Sequence, residues 1–298
     1  MYYQPPRGLG LLVGAVMTLW AAAVALVLLN NGLTVEPGLW WFASYLGALL
    51  AGGLAVLYGY WTYALATLSY AVDRNGLVIT WGPTRQVIPL DAIERLVPGT
   101  AVGVPPVRGI SWWGHHVGGT HIERIGDVLF YSTHQAPEQV LYVMTSERNY
   151  AISVEDPAAF AQEIQIRQDL GPTARLAHHV ERSGTAMQPF WSDRRALALA
   201  TVALIAGALV WAQIAARYGM LPPTLELHFP PSDPQPIVTV TSRDAIFQLS
   251  RTASLILGVN IVLGAALHAW DRVAGYVLLF AATVVQVAFL AAVALALA

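Results

Sequence analysis

Long uninterrupted apolar stretches flank one region of short, punctuated runs, and this alternation sorts the chain into segments. Between Gly8 and Thr34 no residue is charged, and an apolar run of that length can cross the ~30 Å hydrocarbon core of a bilayer as a helix. A cleaved signal sequence has an apolar core of only ~7 to 15 residues. Here a second apolar run follows at once, so residues 8–34 read as an uncleaved anchor. That second charge-free stretch, 39–68, opens with Trp40, Trp41 and Phe42, amphipathic rings that favour the headgroup boundary. Three further spans are expected at 196–216, 252–270 and 273–298. The loop at 218–250 contains LPPTLELHFPPSDPQPIVTV, too proline-rich and polar to cross, and Asp271-Arg272 forms the hinge between the last two spans.

The character of the chain changes at residue 69. SYAVDRNGLVITWGPTRQVIPL alternates β-branched residues between the punctuators Asp73-Arg74-Asn75-Gly76 and Gly82-Pro83, which predicts three strands. Residues 96–126 read as a long glycine-rich loop, and DVLFYST, EQVLYVMT and NYAISV as three more strands. Asp156 and Pro157 then open a helix, the first by capping free N–H groups and the second at a position that needs no donor, and it runs to Leu170. The expected organisation is two spans in 1–68, a soluble sheet-plus-helix domain in 69–170, a polar linker in 171–195, and three spans in 196–298.

Composition supports lipid as the solvent for much of the chain. Of 298 residues 56% are hydrophobic and only 11% charged, and the mean hydropathy is +0.53. A net charge of -2 leaves no basic face for nucleic-acid phosphates. The absence of cysteine excludes disulfides, thiolate nucleophiles and cysteine metal sites. Arg7, Arg74, Arg182, Arg194, Arg195 and Arg272 fall on one side of a five-span topology, against Arg217, Arg243 and Arg251 on the other. The positive-inside bias then puts the N-terminus and the soluble domain in the cytoplasm, and the C-terminus outside the plasma membrane.

Residues 70–170 resemble the bacterial pleckstrin-homology (PH)-like domains of multi-pass membrane proteins. The resemblance lies in YAVDRNGLVITWGPTRQVIPLDAIERL, in DVLFYST through EQVLYVMTSERNYAISVEDPAAFAQEI, and in the serine, acidic, proline, phenylalanine order of Ser153 to Phe160. It implies a curled, seven-stranded, barrel-like sheet plugged by a C-terminal helix, and a binding or scaffolding role. A second likeness covers Leu221-Pro222 and Leu227-His228-Phe229. It resembles a loop signature of bacterial membrane proteins, some related to toxin-immunity and signalling proteins, but Pro230-Pro231-Ser232 replaces the usual glycine.

Candidate chemistry is sparse. His115, His116 and His121 with Glu123 and Asp127 could in principle ligate a divalent ion, although adjacent histidines on a strand point opposite ways. Trp112-Trp113 suits a loop that dips into the membrane interface. Arg74, Arg85 and Arg95 are the cations available for an anionic lipid or a partner, and they are spread along the chain. His178-His179 reads as part of a solvated juxtamembrane stretch. There is no GxSxG elbow, HExxH, Walker loop or GxGxxG fingerprint. Among polar span residues, His268 is expected to snorkel to the interface, while Asn260 and Gln286 are expected to bond across helices. Gly52-Gly53, Gly258 and Gly264 are expected to allow close helix approach. The reading is a non-enzymatic membrane protein without cofactor or metal, binding a protein partner or self-associating through its PH-like domain. The alternative is an envelope sensor, immunity or small-solute protein working through Leu221, Pro222, His228 and Phe229.

Overall fold

A computed structural model describes residues 1–134, 136–182, 188–229 and 237–297. The helices are α1 (Gly8–Thr34), α2 (Leu39–Ala66), α3 (Gly99–Val102), α4 (Pro157–Leu170), α5 (Gln188–Ser192), α6 (Arg194–Tyr218), α7 (Phe247–His268) and α8 (Arg272–Ala296). The strands are β1 (Tyr2–Tyr3), β2 (Ser69–Val72), β3 (Gly76–Trp81), β4 (Thr84–Pro89), β5 (Ile93–Pro98), β6 (Arg108–Trp112), β7 (His115–Ile122) and β8 (Gly126–Ser132). They continue with β9 (Val140–Thr145), β10 (Asn149–Ser153), β11 (His179–Arg182), β12 (Thr224–Phe229) and β13 (Ile237–Ser242). The five expected apolar segments are helices long and apolar enough to cross a membrane. At 1.5 Å per residue, a helix of the length of α1 reaches about 40 Å.

The chain divides into two compact units. The first holds Met1–Val24 and Ala51–Gly184, the second Ala25–Leu50 and Thr185–Ala298. In the first unit, one sheet has the order β1-β2-β3-β4-β11 and another the order β5-β9-β10-β8-β7-β6. Among the described residues neither closes on itself, which corrects the expected barrel-like sheet. Pro89 ends β4 without a backbone donor, and the 3-10 turn Leu90–Ala92 carries the chain away, so that β5 pairs with β9 instead of β4. The two sheets share one core, with Tyr70, Leu77, Ile79 and Ile88 from the first and Tyr131, Leu141, Val143 and Ile152 from the second. Phe160 and Ile164 of α4 complete it, and the Asp156 carboxylate caps α4 as expected, accepting from the Ala158 and Ala159 amides.

Two expectations fail for identifiable reasons. Residues 96–126 are not a loop: they contain the end of β5, then α3 and the β6–β7 hairpin. Gly109 opposes Gly118 in that hairpin, and a Cβ on Gly109 would stand 2.9 Å from Gly118 Cα, so the strands use glycine where they approach most closely. Nor is 171–195 only a linker, because β11 pairs antiparallel with the edge of β4. The loop at 218–250 forms a two-stranded hairpin, β12 with β13, and its connecting residues 230–236 lie outside the described ones.

In the second unit α6, α7 and α8 pack together. Gln286 is buried and donates to the Ala253 carbonyl at 2.9 Å, bonding across helices as expected. Gly207 and Gly264 allow close approach, the first against Leu257 and the second against Leu279. Gly52, Gly53 and Gly258 each face open space where a side chain would stand, a correction to the expected role of those three. Gly207→Val should therefore cost more than about 2 kcal/mol, since it forces apart packed helices. Gln286→Leu should cost less than about 1 kcal/mol, because it removes an unpaired buried acceptor along with the bond. Unfolding of both variants in mixed detergent measures the difference.

Candidate functional site

The first unit joins the sheets to the ends of two helices. The β6–β7 turn places Gly114 at φ 85 against the backbone of Gly10 in α1, where any side chain would collide. Trp112 donates from Nε1 to the Gly10 carbonyl at 3.3 Å and packs on Trp61 of α2 at 5.9 Å between ring centroids. Trp81 packs on Tyr60, and the Gly82 amide donates to Thr67 Oγ1 at 2.8 Å. Arg7 donates to the Ala66 carbonyl, linking the start of α1 to the end of α2. Ahead of α1, β1 adds to the sheet with Tyr2 opposite Ala71 and Tyr3 opposite Tyr70, and Tyr3 meets Phe160 edge-on.

His115 sits at the centre of this joint, wholly buried, and accepts from Trp81 Nε1 at 3.2 Å. Burial, with His116 as a lesser cause, pushes its pKa down from 6.5 to about 4. Trp112 is thus committed to the helix pair, and of the tryptophan pair it is Trp113, 78% exposed, that faces outward.

The histidine cluster read from the sequence is dispersed. His116, on the opposite face of β7 from His115, meets Ser111 at 3.0 Å, while His121 pairs with Asp127 at 2.7 Å on the surface. Among the described residues no group of three or more His, Asp or Glu is placed to hold a metal ion. His116 instead shares a cavity of about 220 Å³ with His134, Thr133, Trp113, Leu9 and Pro6. Burial lowers the pKa of both His116 and His134, so both tend to neutrality.

The three candidate cations are not brought together. Arg74 caps the end of α4, donating to the Leu170 and Gly171 carbonyls at 3.0 Å each. Arg85 pairs with Glu181 at 3.3 Å, and Arg95 is exposed on β5, in the other sheet. Leu221 is partly buried against the helix cluster of the second unit and Pro222 is exposed; the side chains of His228 and Phe229 lie outside the described residues.

A buried polar chain went unread in the sequence. Gln86 donates to the Tyr131 hydroxyl at 2.9 Å and accepts from the Tyr150 hydroxyl at 3.3 Å, and Tyr150 in turn meets His178 Nε2 at 2.9 Å. Burial above all raises Tyr150 to about 12, which keeps its proton in place for donation. One signal was available: Gln86 shares a strand face with Ile88, a polar residue at a core position.

In the second unit, His268 does not snorkel. Its side chain is fully buried and bonds Asp193 Oδ2 at 3.1 Å, where Tyr276 also donates at 2.5 Å. The other oxygen of Asp193 caps α6. The Tyr276 bond is the main reason that the Asp193 carboxyl is held down at about 2, with the Arg195 and Ala196 amides and His268 adding to it.

Comparison with known proteins agrees with the sheet-and-helix architecture. Residues 68–168, about a third of the chain, match the family model of the bacterial PH domain. No curated protein and no solved structure matches the chain. The first unit therefore carries a bacterial PH domain, joined to helices long enough to span a bilayer.

The His115 pKa lies below its unfolded value, so between pH 6.5 and about 4 the unfolded chain binds the extra proton. Stability from this residue is full above 6.5 and is lost as pH falls towards 4. The thermal midpoint of the full chain in detergent, followed by tryptophan fluorescence, should drop across that window, and His115→Gln should flatten part of the drop.

Proposed function

We propose that this chain is a multi-pass membrane protein whose PH domain stands on the cytoplasmic side of the plasma membrane and works, without catalysis, as a protein-binding or scaffolding module. The observation that carries the reading is the joint itself. A freely tethered domain needs only a flexible linker, whereas here Gly114, Trp112 and β1 hold the sheets to the ends of two span-length helices. Such a mount fixes the orientation of a binding surface relative to the bilayer.

Protein recognition is favoured over anionic-lipid recognition because Arg74 and Arg85 already have intramolecular partners. A phosphate-binding PH-type site would need those cations gathered and available. The arginine distribution supports the orientation.

Orientation is tested with Glu123→Cys, an exposed position in the β7–β8 turn of a chain that has no other cysteine. A membrane-impermeant maleimide should label it in opened cells and leave it unlabelled in intact ones; labelling of intact cells would reverse the topology. For the binding role, a photo-cross-linking residue at position 123 or 121 should yield a discrete protein adduct in cells. Adducts to lipid alone would transfer the function to membrane recognition.

A further inference from the structure

We infer that the outer edge of β4 is the strand-docking edge of the domain, and that residues 171–182 occupy it in cis as a detachable segment. The inference rests on the protein-binding reading above and names the surface and the kind of partner that reading requires. The family match ends at residue 168, yet the chain stays on the domain well beyond it. Asn75 Oδ1 accepts from the Thr173 amide, the Ala174 amide and the Thr173 hydroxyl at 2.8, 3.0 and 2.9 Å. His178 then enters the domain, its side chain only 6% exposed, against Tyr150 at 2.9 Å and Glu147 at 3.5 Å. After it β11 lines up with β4, from His179 opposite Val87 to Arg182 opposite Thr84, and Glu181 meets Arg85 at 3.3 Å.

This is how an extended peptide adds to a sheet: backbone bonds supply affinity and alternate side chains supply specificity. The hold is thin. Residues 172–177 and 179–181 are exposed, including Leu176 and Val180, and among the described side chains of the segment His178 is the one that enters the core. Segments with little buried apolar contact open at low free energy while the core stays folded. Opening would expose the unpaired edge of β4, the hole framed by Tyr150, Gln86 and Glu147, and Arg85. The partner that fits is an extended protein segment carrying an imidazole, or another ring or amide able to bond Tyr150, and an acidic residue three positions later. These are the spacings of His178 and Glu181 in the segment already seated there.

The test uses the full chain in detergent and a fluorescent peptide of residues 172–182 as the probe. In the unmodified chain the edge is occupied, so the apparent affinity falls with the fraction that is open. Glu181→Arg sets like charges against Arg85 without touching the core, and should tighten peptide binding by about tenfold or more. The double variant E181R/R85E restores opposite charges within the chain and sets the probe's own Glu181 against the acidic side chain placed at position 85, so binding should fall back to the unmodified level or below it. Because the chain has no cysteine, a disulfide between R85C and E181C can lock the segment down, and it should abolish binding until reduced. Equal binding to Glu181→Arg and unmodified chain, or binding that survives the lock, overturns the inference. A domain that meets its protein partner on another surface would still give a protein adduct from position 123 and would fail here, so the two readings are separable.

Discussion

Three central strands, β2, β3 and β4, end on both sides in rows of backbone donors and acceptors, and the first unit is organised by how those rows are satisfied. On one side β1 fills the row with residues that lead straight into α1. On the other β11 fills it with residues that lead out of the domain towards α6. Both covering strands lie outside the stretch that matches the bacterial PH domain. The parts of the chain that cover its exposed edges are thus the parts that connect it to span-length helices, which couples edge protection to attachment.

A similar economy governs the second unit. One carboxylate, Asp193, caps α6 with one oxygen and receives His268 of α7 and Tyr276 of α8 with the other. Three helix ends are held by a single residue whose charge is fully hydrogen-bonded, the condition under which a buried or half-buried charge is tolerated. Further along the same helices, Gln286 bonds the α7 backbone directly, where Gly207 removes the side chain that would keep the helices apart.

The legible features were those that depend on local patterns. Charge-free length marked four of the five span-length helices to within two residues, whereas the fourth starts ahead of residue 252 because Arg251 lies inside α7, and Asp156-Pro157 marked the start of α4. What escaped depends on non-local pairing. Gly109, Gly118 and Gly119 made a hairpin look like a loop, because glycine signals flexibility until an opposing strand explains it. His-Val-Glu-Arg in β11 has no apolar alternation, and becomes a strand only because β4 offers an edge. Two sheets in place of one closed sheet follow from which strand β5 chooses, a choice no local run encodes. Among the candidate residues, Trp112 bonds the backbone of α1 and Arg74 a helix end, partners that lie far along the chain. His268 looked free to reach water because Asp193, its partner, stands 75 residues away.

The contact of Gly10 with Gly114 has a mechanical meaning. Two backbones that touch with no side chains between them have no rotamers to absorb relative movement, so the β6–β7 turn must travel with the first turns of α1. Any rotation of that end of α1 would therefore be delivered undamped to β6 and β7, the outermost strand pair of the larger sheet.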